Sequence, residues 1–163
     1  MERDTTASSI STRISSMKKT FAKTETQFER QLVHPLEKND PVLVDHVDFV
    51  RLEFLETARH PVPKNQRLDK DKAFGELTGR SVLVALSHGW FYQMHPDPQG
   101  VKIDIIVKQF GPRLRERYPE TQILFFFDFL SVPQWPRTEA EEKRFRVAMK
   151  HMNSVYVYCD LVL

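Results

Sequence analysis

The sequence predicts an α/β fold in which helices cover both faces of a parallel sheet. Two continuous apolar runs, at residues 81–86 and 122–127, are typical of strands that are buried on both faces. A third strand is predicted over residues 154–158, running on towards residues 161–163. Helical patterns occupy the two stretches between these strands, so each connection requires a right-handed crossover. The strands are therefore expected to run parallel in a three-layer domain.

The two connecting helices are predicted from apolar residues at helical spacing. The first carries its apolar face from Ile103 to Leu114, and Gly111 followed by Pro112 is expected to kink or break it. The second begins at Thr138, which forms a capping box with Glu141. Its apolar face then consists of four residues: Phe145, Ala148, Met149 and Met152.

The part of the chain before this unit divides into two segments. Residues 1–24 are rich in Ser and Thr and lack hydrophobic periodicity, which predicts a disordered tail. Their bases occur without acids after residue 4, a composition that also fits an organellar transit peptide. Residues 25–77 predict a helical lead-in and a charged linker, with a main helix that Asp40 and Pro41 begin and that runs to Arg59. Residues 78–163 form the α/β unit.

Composition excludes several classes of protein. The 163 residues include 40% hydrophobic and 28% charged residues with a net charge of +2, values of a soluble globular domain and not of a strongly basic nucleic-acid binder. No apolar run approaches the roughly 20 residues of a membrane span, and the N-terminus does not resemble a secretory signal. The single cysteine, Cys159, excludes an internal disulfide. These features predict a cytoplasmic protein.

Polar and aromatic side chains follow the first two predicted strands. Six of them are candidate ligand-binding residues: Ser87, His88, Trp90, Asp128, Gln134 and Trp135. Ligands of parallel sheets bind beyond the carboxyl ends of the strands. The indole of Trp90 offers a stacking face for a base or nicotinamide ring, and Asp128 is the candidate for a ribose hydroxyl or for acid–base chemistry. The same residues also fit a strand end without a ligand, in which they cap the backbone and pack.

Other kinds of site are disfavoured. His88 and His95 lack the short spacing of zinc ligands, so no metal site is predicted. Ser87 and His88 are adjacent and should point to opposite faces, which disfavours a catalytic triad with Asp128. The chain has no glycine-rich phosphate loop. Acids at 139–142 balance the bases at 143–146, so no binding of nucleic acid is predicted.

Four stretches of residues 78–163 together resemble the TIR-like (Toll/interleukin-1 receptor homology) domains of protists, algae and bacteria. They are VLVALSHGW (82–90), HPDPQG (95–100), FDFLSVPQ (127–134) and HMNSVYVY (151–158). The first contains the family's Ser-His-x-Trp motif, and the third its Asp-x-x-x-x-Pro-Gln loop. The resemblance implies a flavodoxin-like fold with a five-stranded parallel sheet.

The resemblance also implies site roles. Ser87, His88 and Trp90 would border a nucleotide pocket, and residues 128–135 would form the mobile loop of association and ligand access. The chain ends at Leu163, after its third predicted strand, whereas the family continues with a helix that carries the catalytic Glu. The expectation is therefore a partial TIR-like domain, without NAD cleavage unless a full-length form supplies that Glu.

The sequence is compatible with three functions. The first is a signalling or protein-interaction module that associates with itself or with protein partners, requires no cofactor and takes NAD as a candidate ligand. The second is an NAD glycohydrolase in a full-length form, with NAD as substrate. The third is an α/β domain that binds another nucleotide or a sugar.

Overall fold

A mixed sheet of five strands lies at the centre of the computed structural model, which describes residues 45–78 and 80–163. The strands are β1 (Phe49–Arg51), β2 (Phe74–Gly75), β3 (Ser81–Ala85), β4 (Gln122–Phe126) and β5 (Leu161–Val162). Their order across the sheet is β2-β1-β4-β3-β5. The predicted tail at 1–24, and the lead-in up to residue 44 with its cap at Asp40 and Pro41, lie outside the described residues.

Short helices connect these strands. They are α1 (Leu52–Thr57), α2 (Lys70–Ala73), α3 (Val101–Ile105), α4 (Gly111–Arg117), α5 (Asp128–Ser131), α6 (Glu139–Lys150) and α7 (Met152–Tyr158). A 3₁₀ turn at Asn65–Arg67 precedes α2, and a π-helical turn at Ile106–Phe110 joins α3 to α4. At the kink or break predicted for Gly111, the helix thus contains a π-helical turn that ends at Phe110. Among the described helices, none is both long enough and apolar enough to cross a lipid bilayer.

The pairing of the strands gives the sheet its mixed character. β3 runs parallel to both β4 and β5, whereas β1 runs antiparallel to β2 and β4. The α/β class and the two buried strands predicted from apolar runs are confirmed. The expectation of parallel strands throughout is wrong, because the residues before the α/β unit contribute two antiparallel strands that the sequence did not predict.

The prediction of one continuous helix up to Arg59 is wrong in its centre. There the chain forms β1, and among the described residues of this stretch the helical ones are 45–46 and Leu52–Thr57. The physical reason is that apolar residues here face both sides of the sheet: Phe49 packs in the core on one face, and Val50 packs in the core on the other. Two-sided burial between β2 and β4 stabilises the extended conformation over the amphipathic helix.

The third predicted strand is wrong over residues 154–158, whereas its continuation towards residues 161–163 is confirmed. Residues 154–158 belong to helix α7, and the strand follows it at Leu161–Val162. Only one face of this segment is buried: Val155 is fully covered, whereas Val157 is 61% exposed. The apolar spacing from Met152 through Val155 and Tyr156 to Cys159 is helical, and it competes with the β-propensity of the Val and Tyr residues.

Helices cover the sheet on both faces. On one face, α1, α3 and α4 pack with Val84 and Phe125, and on the other, α6 and α7 pack with Leu83 and Phe126. The capping box at the start of α6 is confirmed: the Thr138 hydroxyl accepts from the backbone N–H of Glu141 at 3.3 Å, and the Glu141 carboxylate accepts from that of Thr138 at 2.7 Å. The three-layer core leaves the carboxyl edge of the parallel strands to the loops.

Candidate ligand groove at the carboxyl edge of the sheet

The loops that follow β3 and β4 lie side by side because these two strands are parallel neighbours. Residues 87–90 follow β3, and Asp128 begins α5 directly after β4. The indole Nε1–H of Trp90 donates a hydrogen bond of 2.9 Å to Oδ2 of Asp128. Two candidate residues that are 38 positions apart in the sequence are thereby joined at one edge of the sheet.

The other oxygen of Asp128 has two neighbours. The backbone N–H of Phe129 donates to Oδ1 at 2.6 Å, and Nε2 of His88 lies 3.3 Å from the same oxygen without the alignment of a hydrogen bond. Burial acts to raise the pKa of Asp128, but the contacts from His88, Trp90 and the Phe129 N–H together lower it. Asp128 is therefore a charged acceptor at neutral pH.

Lys102 joins Trp90, Asp128 and His88 in one polar cluster. Lys102 was not among the site residues predicted from the sequence. Its side chain is buried in α3, at 3% exposure. Nζ lies 2.9 Å from Nδ1 of His88, donates to the carbonyl oxygen of Gly89 and lies 4.5 Å from the ring centroid of Phe91. Burial lowers the pKa of Lys102 to about 8, against the opposing effect of nearby carboxylates. The available signal was its position four residues before Ile106, within the apolar stripe of the helix.

The loop before α3 is fixed by its own hydrogen bonds. Oδ2 of Asp97 accepts from the backbone N–H groups of Lys102 and Ile103 at 2.9 and 3.1 Å, which caps the helix. His95 accepts from the Asp97 N–H through Nδ1 at 2.9 Å, and Nε2 is 3.0 Å from the carbonyl oxygen of Val62. Both ring nitrogens of His95 therefore serve the fold, and neither is left for a metal.

An open groove of about 610 Å³ lies beside the polar cluster. Three chain segments line it: residues 61–67, the loop after β3 from Trp90 to His95, and the loop after β4 up to Arg137. Phe129 packs against the rings of Trp90 and His95, with centroids 5.8 and 4.4 Å apart. Trp135 also lines the groove and is 69% exposed. Large aromatic surfaces are thus available to a ligand.

The Trp135 loop is held by the facing segment. Gln66 pairs with the backbone of Gln134 in both directions, accepting from its N–H at 2.9 Å and donating to its carbonyl. The side chain of Gln134 donates back to the carbonyls of Asp128 and Val132, at 3.1 and 2.9 Å. Nζ of Lys64 donates to the Trp135 carbonyl at 3.1 Å. These contacts preform the groove, so a ligand does not have to supply the free energy of ordering its loops.

Three basic side chains reach the groove, and two of them hold the structure together. Arg137 donates to the Pro133 carbonyl at 2.7 Å, pairs with Glu142 at 3.2 Å and stacks over the ring of Phe145. Lys64 is bonded to backbone carbonyls, as described above. Arg67 is exposed: its backbone N–H donates to the Lys64 carbonyl at 2.9 Å, whereas its guanidinium forms no hydrogen bond or ion pair with a described residue. Arg67 is therefore the cation that the groove offers to an anion.

The predicted site residues divide into three groups. Trp90, Gln134 and Trp135 line the groove. The side chains of His88 and Asp128 lie in the neighbouring cluster, where that of His88 is only 6% exposed. Ser87 is exposed and does not line the groove, and its backbone N–H donates to the Leu163 carbonyl at 2.7 Å. Sequence reasoning missed Arg67, Lys64 and Gln66, which lie in the segment interpreted as a linker.

The groove lies on the β4 side of β3. The connections diverge to opposite faces at a different point, between β3 and β5, where a doubly wound sheet would place its crevice. Within residues 45–78 and 80–163, no group of three or more His, Cys, Asp or Glu side chains is placed to hold a metal ion. The chain matches no protein-family model, no curated protein and no solved structure.

Proposed function

We propose that this chain is a nucleotide-binding signalling or protein-interaction module whose ligand lies in the groove. The observation that carries the proposal is the combination of two tryptophan side chains with Arg67 in one preformed groove. Stacking of a base on an aromatic side chain contributes about 1–3 kcal/mol. The guanidinium of Arg67, which has no partner among the residues that the structure describes, is suited to the bidentate hydrogen bonds of a phosphate.

The TIR-like assignment of residues 78–163 is part of this proposal. Its support is topological: the three strands of this stretch are parallel, and their order of β4-β3-β5 is second, first, third. A flavodoxin-like sheet begins in that order. Both antiparallel strands precede residue 78, outside the stretch that carries the resemblance. NAD is accordingly the first nucleotide to test, and self-association or a protein partner is the proposed output.

The proposal is tested by thermal shift and calorimetry with NAD, ADP-ribose and ATP. A ligand that binds only the folded state raises the melting temperature, and we expect at least one of these nucleotides to do so. Trp135→Ala should weaken binding by about 5- to 100-fold through lost stacking, and Arg67→Gln by about 10-fold through a lost charge-assisted hydrogen bond. Since both side chains are exposed, neither change should alter the melting temperature of the free protein by much.

Matched controls separate the groove from general surface effects. Val157→Ala removes exposed apolar surface from α7, and Lys143→Gln removes an exposed charge from α6; both residues lie away from the groove. Both control variants should bind as the wild type does. No stabilisation by any of the three nucleotides at millimolar concentration, or equal losses in the groove and control variants, would contradict the proposal.

A further inference from the structure

We propose that Lys102 is a positioning residue for the groove: through His88 and Asp128 it holds the indole of Trp90 in the orientation that a ligand meets. The part of this inference that concerns ligand affinity rests on the proposed function. The part that concerns Trp90 does not, because it describes the free protein.

The starting observation is a buried cation without an ion-pair partner. Lys102 is 3% exposed, and its Nζ forms no salt bridge with a described carboxylate. Its partners are instead the imidazole of His88, the carbonyl of Gly89 and the face of the Phe91 ring. An ammonium group in such a place is costly, whereas an apolar side chain of similar size would not be. A role in the neighbouring cluster accounts for its presence.

Lys102 determines which ring nitrogen of His88 carries the proton. When the ammonium donates to Nδ1, that nitrogen must act as an acceptor, so the ring carries its proton on Nε2. This Nε2 lies 3.3 Å from Oδ1 of Asp128, so the link between the two side chains is an electrostatic contact without the alignment of a hydrogen bond. The ring is held in place from the side by Phe127, in an edge contact with centroids 4.6 Å apart. The orientation of the imidazole therefore depends on the donor at Nδ1.

Asp128 connects the orientation of the His88 ring to that of the Trp90 indole. Its Oδ1 faces His88 and the Phe129 N–H, which leaves Oδ2 aimed at the indole Nε1–H at 2.9 Å. Because Trp90 is 38% exposed and borders the groove, this hydrogen bond selects one of the orientations open to its ring. The hydrogen bond from Lys102 to the Gly89 carbonyl holds the backbone immediately before Trp90. Lys102 thus acts both on the side chain of Trp90 and on the backbone that precedes it.

The charged and titratable groups around the cluster come from several elements. Asp97 from the loop before α3 and Asp128 from the start of α5 favour the charged form of Lys102, and burial opposes it. His88 follows β3, and Tyr156 reaches from α7, where its hydroxyl is 3.4 Å from the Leu86 carbonyl. Among these groups, the pKa of Lys102 lies at about 8. Its charge should therefore change between pH 7 and pH 9, a range in which an Asp carboxylate stays ionised.

The test uses the indole N–H signals of the free protein in ¹⁵N NMR spectra. The chain has two tryptophans, so Trp135, which is 69% exposed, is an internal control for Trp90. In the wild type, the Trp90 N–H should exchange with water about tenfold more slowly than that of Trp135, because it is bonded to a carboxylate. In Lys102→Met this protection should fall towards the Trp135 value, with the Trp135 signal unchanged.

A pH titration of the wild type gives the same information without a substitution. Between pH 6.5 and 9.5, the Trp90 indole signal should shift with a midpoint near 8, and the Trp135 signal should not follow it. His88→Gln provides a second variant, since its amide keeps the polarity but cannot hold the same proton. It should abolish the midpoint at Trp90. An unchanged Trp90 signal in both variants, or a common shift of both indoles with pH, would overturn the inference.

Ligand affinity then separates the two proposals. If a nucleotide binds, Lys102→Met should weaken it by about 2- to 30-fold, as changes within a coupling network do, and Lys102→Arg should restore part of the loss. Loss of Trp90 protection in a protein that binds no nucleotide would support the positioning role and contradict the proposed function. Intact Trp90 protection in Lys102→Met with unchanged nucleotide affinity would contradict the positioning role alone.

Discussion

At Asp128, burial and hydrogen bonding act on one carboxylate in opposite directions. Burial favours its neutral form, whereas contacts from His88, Trp90 and the Phe129 N–H favour its charged form and lower its pKa. Both oxygens are engaged in these contacts, at distances of 2.6 to 3.3 Å. A carboxylate held in this way is a structural acceptor and is poorly placed to attack a substrate or to take its proton.

This arrangement predicts that residues 1–163 do not cleave NAD. Incubation of the chain with NAD should release no nicotinamide above the level of a protein-free blank, when the products are separated by chromatography. Asp128→Ala, which leaves the Trp90 Nε1–H without its acceptor, should leave that background unchanged. Turnover by the wild type that disappears in Asp128→Ala would instead identify an NAD glycohydrolase.

Lys102 predicts a specific dependence of stability on pH. Its pKa is about 8 in the folded chain against an ordinary value of 10.5. Between these two values the unfolded chain binds the proton and the folded chain releases it, so the free energy of unfolding should rise with pH across this window. Urea unfolding at pH 7 and pH 9.5 should show the wild type gaining stability relative to Lys102→Met. Parallel pH dependences of the two proteins would rule out a buried, titrating Lys102.

The sequence predicts correctly those helices and strands whose apolar pattern fits a single conformation. β3 is buried throughout and β4 is buried from Ile123 onward, and helix α6 carries a capping box at Thr138. In contrast, β1 has three residues, and its apolar spacing also fits a helix. Its conformation is decided by hydrogen bonds to β2 and β4, which are distant in the sequence. In helix α7 the opposite occurs: the Val and Tyr residues favour a strand, but burial of only one face of the segment favours the helix.

The capping box gives the clearest prediction at the level of an element. Thr138→Ala removes the acceptor of the Glu141 N–H, so it should destabilise the folded chain by about 1 kcal/mol. Thr138→Ser keeps a hydroxyl at the cap and should cost less than about half of that. Chemical denaturation with a matched slope for all three proteins measures both values. Equal stability of the Ala variant and the wild type would show that the cap contributes nothing.

At the scale of the whole molecule, the groove is assembled from segments that are far apart in the sequence. Lys64 bonds to the carbonyl of Trp135, 71 positions away, and Gln66 to the backbone of Gln134, 68 positions away. The strand ends could be predicted as a site because parallel strands share an edge. The third wall, at residues 61–67, could not, because its Pro and Lys residues are typical of a linker until the fold places them.

The central proposal for this molecule is that the groove between the strand-end loops and residues 61–67 is a nucleotide site. The most direct measurement is an NMR titration of the uniformly ¹⁵N-labelled chain with NAD and, in parallel, with ATP. If the groove binds a nucleotide, the Trp90 and Trp135 indole signals and the Arg67 amide signal should shift saturably with at least one of the two, while the amide signals of α6 and α7 stay unchanged. The absence of any shift up to about 5 mM, where even weak millimolar binding would be visible, or shifts confined to other surfaces, would contradict it.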